Sequence, residues 1–238
     1  MTIVPYPSNQ RGFADHGWLK SFHTFNFGEY FDPTRKRFGL LRVFNQDRVA
    51  PLKGFETHGH ANMEIISIPI SGKLHHKDSN GSDFFLEAGD IQVMSAGSGI
   101  QHSEFNASSS EETHFLQIWV FPNKENTEPN YQQKKFKHFE NKNTWELIVS
   151  PDGRNHSLKI LQDAFFQLGD FNKSQKISYK FNSSKNGLFI FCLEGEIEVS
   201  EQKIQTGDAL GISEAETIEI DCAQDSKILL IEVPLRPF

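Results

Sequence analysis

A chain of 238 residues, 37% hydrophobic and 23% charged, has room for one large or two modest globular domains. Its net charge of −7 and sequence pI near 5.8 count against a surface that grips nucleic-acid phosphates, which needs a basic patch, and against an anionic membrane face. The apolar runs Ile65–Ile70 and Ile228–Val233 are strand-length, far too short to span a bilayer.

The N-terminus, MTIVPYPSNQRGF, lacks a positive region followed by an apolar run, so no secretory signal and a cytoplasmic location are expected. Further along, Ile65–Ile70 is a β-branched strand closed by a turn at Ser71–Gly72. Asn80–Gly81 is a tight-turn signal between two short strands. Gly89–Asp90 then ends one strand and starts the next, Ile91–Met94, and Thr113–Phe121 is another strand. The polar stretch Pro122–Asn143 interrupts the rhythm. After it, Gly187–Leu193, Ile197–Ser200, Ala209–Ile212 and Lys227–Val233 read as strands, punctuated at Gly195 and at Gly207–Asp208. Short strands with Gly, Asp and Asn punctuation, and few helix signals, predict an all-β fold of barrels or sandwiches.

The two halves resemble each other. "IPISGKLHH…LEAGDIQVMSAG" and "FCLEGEIEV…IQTGDALGISE" share the order strand, Gly turn, strand, Gly–Asp turn, strand. Two tandem β domains are therefore expected, residues 1–134 and 135–238, with the break within Pro122–Asn143.

Chemistry concentrates in the first half. In "THGHANME", His58 and His60 are two residues apart, and side chains at i and i+2 of a strand share a face. "QHSEF" repeats the relation with His102 and Glu104. If the two strands are neighbours, four donors suited to a divalent first-row metal converge: His58, His60, His102 and Glu104. Glu64 shares parity with His60 but would lie about 13 Å away on a straight strand, at roughly 3.3 Å per residue. Glu104 is therefore the nearer carboxylate; Glu64 would become a ligand only through a strand bend, and otherwise stands as an acceptor that orients a histidine. His16, His23, His114, His138 and His156 have no partner at ligand spacing and read as structural or surface residues. His75 and His76 point to opposite faces, so at most one looks inward. Ser157–Phe238 contains no histidine, so the second domain is expected to hold no metal. Cys192 and Cys222 lie in apolar stretches without a CxxC motif and are expected as buried, reduced thiols.

"HGHANME" followed by "AGDIQVMSAGSGIQHSEFN" resembles the two motifs of the cupin superfamily, and more narrowly the pirin family of bicupins. "DHGWLKSFHTFNFGEYFDP", "FGLLRVFNQDRV" and "HFLQIWVFP" extend the likeness. The resemblance implies two tandem cupin β-barrels, the second degenerate and metal-free, with few short helices. It implies a metal held by three histidines and one glutamate, which fall on His58, His60, His102 and Glu104. It also implies quercetinase-like dioxygenase activity in bacterial members and a transcriptional co-regulator role in eukaryotic ones. One departure is Gly59, where the family usually has proline between the two histidines.

The expected cofactor is one divalent transition metal ion, iron foremost, with nickel, cobalt, manganese, copper and zinc also suited to these donors. The expected partners are a small aromatic substrate and O2, with no direct nucleic acid and no membrane; the oligomeric state stays open, with a monomer favoured. Four protein ligands leave about two positions of an octahedral ion open. A flavonol would enter through its 3-hydroxyl, with Glu104 or Glu64 as the catalytic proton acceptor. Two alternatives stand beside this: a non-enzymatic, metal-dependent regulator acting through a protein partner, and a metal-assisted isomerase or hydrolase of a small metabolite.

Overall fold

The computed structural model describes residues 1–137 and 140–235, so His138 lies outside the described residues. The only helical segments among them are two short 3-10 turns, Ser8–Gln10 and Arg154–His156. No helix among the described residues is long and apolar enough to cross a membrane.

The strands form four sheets, a seven-stranded and a four-stranded one in each half. The first seven-stranded sheet runs Asn130–Lys135, Asp90–Ser95, Glu64–Ser71, Thr113–Val120, Leu41–Val49, Leu19–His23, Gly12–Asp15. Its four-stranded companion runs Gly54–His60, Ile100–Asn106, Lys73–Asp78, Asp83–Glu87. In the C-terminal half, Asn186–Glu194, Glu196–Val199, Gln202–Gln205 and Ala209–Ser213 repeat the path of Glu64–Ser71, Lys73–Asp78, Asp83–Glu87 and Asp90–Ser95. Both paths turn at a glycine in the left-handed region, Gly72 at φ 80° and Gly195 at φ 92°. A side chain there would also collide: a Cβ on Gly72 would lie 2.7 Å from Thr113 Oγ1, and one on Gly195 would lie 2.2 Å from the Asp225 carbonyl oxygen.

Two segments depart from the reading by sequence order. Thr2–Tyr6 pairs antiparallel with Ala209–Ser213, so the N-terminal strand is built into the C-terminal sheet. Within the polar stretch expected as linker, Asn130–Lys135 is a strand along Asp90–Ser95. It is an edge strand, and lysine and glutamine on an edge discourage pairing with other chains while hiding the apolar alternation that marks a strand.

The two seven-stranded sheets share one apolar core. Phe44, Leu116 and Ile118 from the first half join Phe166, Leu168, Phe189 and Ile231 from the second. Phe189 is its aromatic hub, with ring centroids 5.0 Å from Phe44, 5.7 Å from Tyr6, 5.9 Å from Phe25 and 6.2 Å from Phe38. Inside the C-terminal barrel, a continuous apolar cluster including Leu188, Ile190, Ile197, Ile220 and Leu230 fills the space between the sheets. The N-terminal barrel is different. Apart from those in the shared core, its buried apolar residues split into two small groups, one around Leu74, Leu86 and Phe115 and one around Ile65, Met94 and Ile100. Both cysteines are buried and free.

Because Phe189 serves both halves, Phe189→Ala should cost about 3–5 kcal/mol, as large-to-small aromatic core changes do. Denaturation followed by circular dichroism should keep a single transition, shifted as a whole. Two separate transitions with only one displaced would contradict a shared core.

Candidate metal centre

The site is built on one pair of strands. Ile100–Asn106 pairs antiparallel with Gly54–His60 and sets His102 opposite His58 and Ile100 opposite His60. Along Ile100–Asn106 the even-numbered positions are buried and the odd ones more open, so His102 and Glu104 both point inward. Gly59 keeps the extended path, and a Cβ there would meet only the Ile100 carbonyl oxygen, at 3.8 Å.

Three imidazoles converge as a result. One ring nitrogen from each of His58, His60 and His102 lies within 4.8 Å of the other two. Their ring centroids are 4.9 Å (His58–His60), 4.5 Å (His58–His102) and 4.9 Å (His60–His102) apart. His58 Nδ1 lies 2.7 Å from the Glu56 carbonyl oxygen. A carbonyl only accepts, so Nδ1 carries the hydrogen and Nε2 is left as a lone pair. His102 is 1% exposed, and among the described residues neither of its ring nitrogens has a hydrogen-bond partner. Burying polar atoms without partners is costly, and a metal ion would supply the missing one. Burial, with the neighbouring histidines adding to it, pushes His60 down to about 4 and His102 to about 3, so both rings are neutral donors at pH 7.

Glu104 belongs to an overlapping group, with a carboxylate oxygen within 4.8 Å of ring nitrogens of His102 and His76. It is held from behind. Gln117 Nε2 donates to Oε2 at 2.9 Å and Ser67 Oγ donates to Oε1 at 3.2 Å. Trp119 Nε1 donates in turn to Gln117 Oε1 at 2.9 Å, which fixes the amide orientation. The three clustered imidazoles, with the Glu104 carboxylate beside His102, are donor types suited to a divalent first-row metal.

Glu64 sits elsewhere. Its Oε2 accepts hydrogen bonds from Ser95 Oγ at 2.8 Å and from the backbone N–H of Leu161 at 3.1 Å. Through Leu161 it ties the N-terminal barrel to the C-terminal half. Asn62, at φ 52°, interrupts the strand between His60 and Glu64, so strand parity does not carry from one to the other. Burial raises the Glu64 pKa above the usual carboxylate range.

Residues that the sequence left outside the ligand set also border the site. His76 is the inward member of the His75–His76 pair, fully buried, while His75 turns out to Asp83 at 2.6 Å. A cavity of about 880 Å³ opens in front of the cluster, lined by His58, His60 and Glu104 and walled by Trp18, Phe27, Tyr30, Phe55 and Trp119. His16 and His23 line it too. His23 Nε2 lies 2.7 Å from Ser21 Oγ, which donates to the buried Asp47 carboxylate. Burial pushes Asp47 up to about 7, against the Ser21 hydrogen bond, with Glu104 adding to the rise. Spacing alone could not reveal these residues, because strand pairing rather than nearness in sequence brings them to the cluster.

Comparison with known proteins agrees with this geometry. The Pirin family model matches residues 7–120, and the model described as quercetinase C-terminal cupin domain matches residues 147–233. Over 227 residues the chain is 38% identical to quercetin 2,3-dioxygenase of Escherichia coli (strain K12), covering 95% of this chain and 96% of that protein. The chain belongs to the pirin family. A pirin-like protein of Caulobacter vibrioides is 34% identical, over 95% of this chain and 97% of that one. The crystal structure of the bacterial pirin YhhW from Escherichia coli in complex with nickel(II) superposes with a TM-score of 0.93 at 36% identity, covering 98% of this chain and 99% of that one. Another YhhW structure gives 0.95 at 36% identity over the full length of both chains. This pirin is thus an all-β protein of two cupin domains with a histidine cluster suited to a metal.

The position of Glu64 separates its role from that of the cluster. Glu64→Ala strands the Leu161 N–H and should cost about 1–3 kcal/mol of stability. Metal content per folded chain, measured by mass spectrometry, should stay at the wild-type level. Loss of metal from a folded Glu64→Ala protein would return this carboxylate to the site.

Proposed function

We propose that this pirin is a metal-dependent dioxygenase that opens the heterocycle of a flavonol such as quercetin with O2. The observation that carries the reading is the convergence of His58, His60 and His102, with His102 unpartnered and Glu104 beside it, on an aromatic-walled cavity of about 880 Å³. A cavity of that size is within the range of small-molecule sites, roughly 300–1,000 Å³. The relative with 38% identity is named quercetin 2,3-dioxygenase, which supports the same substrate class.

His58, His60, His102 and Glu104 would hold one divalent ion in the N-terminal barrel; iron is the proposed native metal, and nickel(II) is the ion bound in YhhW. When bound, the ion acidifies a coordinated hydroxyl and brings the substrate and O2 together. The chain's own residues do the rest. Trp119, Phe27 and Phe55 offer flat faces to a planar ligand and exclude water from the reacting ring. Glu104 takes the hydroxyl proton at Oε1, the oxygen with the longer of its two hydrogen bonds. Gln117 and Ser67 keep that carboxylate from turning away. The second barrel, with its apolar interior, serves as scaffold. The free, buried thiols suit a reducing cytoplasm.

The test combines an oxygen electrode with metal analysis on the same preparations. Metal-loaded wild type should consume O2 when quercetin is added. His58→Ala, His102→Ala and Glu104→Ala should each lose metal and fall to background uptake while remaining folded. Fully loaded wild type without uptake, or variants that keep both metal and uptake, would overturn the reading.

A further inference from the structure

Lys73–Asp78 lies along the other side of Ile100–Asn106 and sets His76 opposite Glu104 and Asp78 opposite His102. The side chains of His76 and Asp78 are both sealed from solvent. His76 Nε2 lies 3.2 Å from Asp78 Oδ2. The other oxygen, Oδ1, accepts from the backbone N–H groups of Asn80 at 2.9 Å and Ser82 at 3.0 Å. A carboxylate so placed has no proton to give, so the hydrogen of the pair sits on His76 Nε2, and a ring carrying that single hydrogen presents Nδ1 as a bare lone pair. Among the described residues that Nδ1 has no hydrogen-bond partner.

His102 presents the complementary need. A ring nitrogen of His76 lies within 4.8 Å of one on His102, and the two ring centroids are 5.3 Å apart. A histidine that ligates through one nitrogen keeps its hydrogen on the other, and a buried N–H requires an acceptor. We propose that His76, locked by Asp78 with its hydrogen on Nε2, is that acceptor and acts as the positioning residue for His102. Tyr131 clamps the His76 ring by stacking on it, with centroids 4.7 Å apart at 29°. Its hydroxyl is tied to Gln133 Oε1 at 2.9 Å. His76 Nε2 is already engaged by Asp78, which leaves only Nδ1 to serve His102. This inference rests on the four-ligand site proposed above.

Asp78→Asn makes a selective test. The amide oxygen can still receive the Asn80 and Ser82 N–H groups, while the NH2 turns to His76 Nε2 and drives the ring hydrogen to Nδ1, where it would face the His102 N–H donor to donor. Nitrogen-15 NMR of the metal-free proteins should find His76 with hydrogen on Nε2 in wild type and on Nδ1 in Asp78→Asn. Zinc(II) affinity, measured by competition with a chromophoric chelator, should fall about 10–100-fold. His76→Phe keeps the stack on Tyr131 and should lose affinity by a similar factor, and the double variant should lose little more than either alone. Wild type with the His76 hydrogen on Nδ1 overturns the inference. So does Asp78→Asn with the hydrogen moved but an affinity within about twofold of wild type, or a His76 nitrogen that itself binds the zinc. Wild type that takes up no zinc would instead sink the four-ligand site, and this inference with it.

Discussion

The antiparallel register between Gly54–His60 and Ile100–Asn106 is the constraint on which the site depends. Because His58 stands opposite His102, one face of the strand pair brings three imidazoles together and sets the Glu104 carboxylate beside His102. Side chains alternate with period two, so a slip of one residue would send His102 and Glu104 outward and leave Gln101 and Ser103 inside. The register is fixed on the far side as well, where Lys73–Asp78 pairs with the same strand and delivers His76 and Asp78 behind the cluster.

The duplicated halves show what the site costs in packing. The C-terminal barrel fills its interior with one apolar cluster and carries no histidine after His156. The N-terminal barrel gives up that continuity: its apolar groups are small, and between them lie buried His76, His102, Glu104, Ser67 and Gln117. Hydrogen bonds from Gln117 and Ser67 to Glu104 offset part of the cost of burying that carboxylate. The shared core of the two seven-stranded sheets and the bond from Leu161 N–H to Glu64 brace the less densely apolar half against the fuller one.

Local periodicity made much of this legible. Two i, i+2 pairs identified the convergent side chains, because face sharing on a strand needs no knowledge of the partner. Glycine turns identified the repeated barrel, because Gly72 and Gly195 occupy backbone conformations that other residues rarely adopt. Tertiary pairing hid the rest. Glu64 shares parity with His60, but the left-handed Asn62 lies between them, and its bonds to Ser95 and Leu161 could not be read from spacing. His76 looked optional until its strand was found beside Glu104. His23 and Asp47 meet through Ser21 across strands that nothing in their local sequence links. The strand Asn130–Lys135 was masked by its edge-strand polarity, and Thr2–Tyr6 by crossing to a sheet two hundred residues further along the chain.

Anomalous diffraction from crystals of the metal-loaded protein, recorded at the absorption edge of the bound ion, addresses the centre most directly. One ion per chain is predicted, inside the N-terminal barrel, bonded to His58, His60 and His102 nitrogens and a Glu104 oxygen at about 2.0–2.2 Å. An ion bound through Glu64, or one seated in the C-terminal barrel, would contradict the assignment.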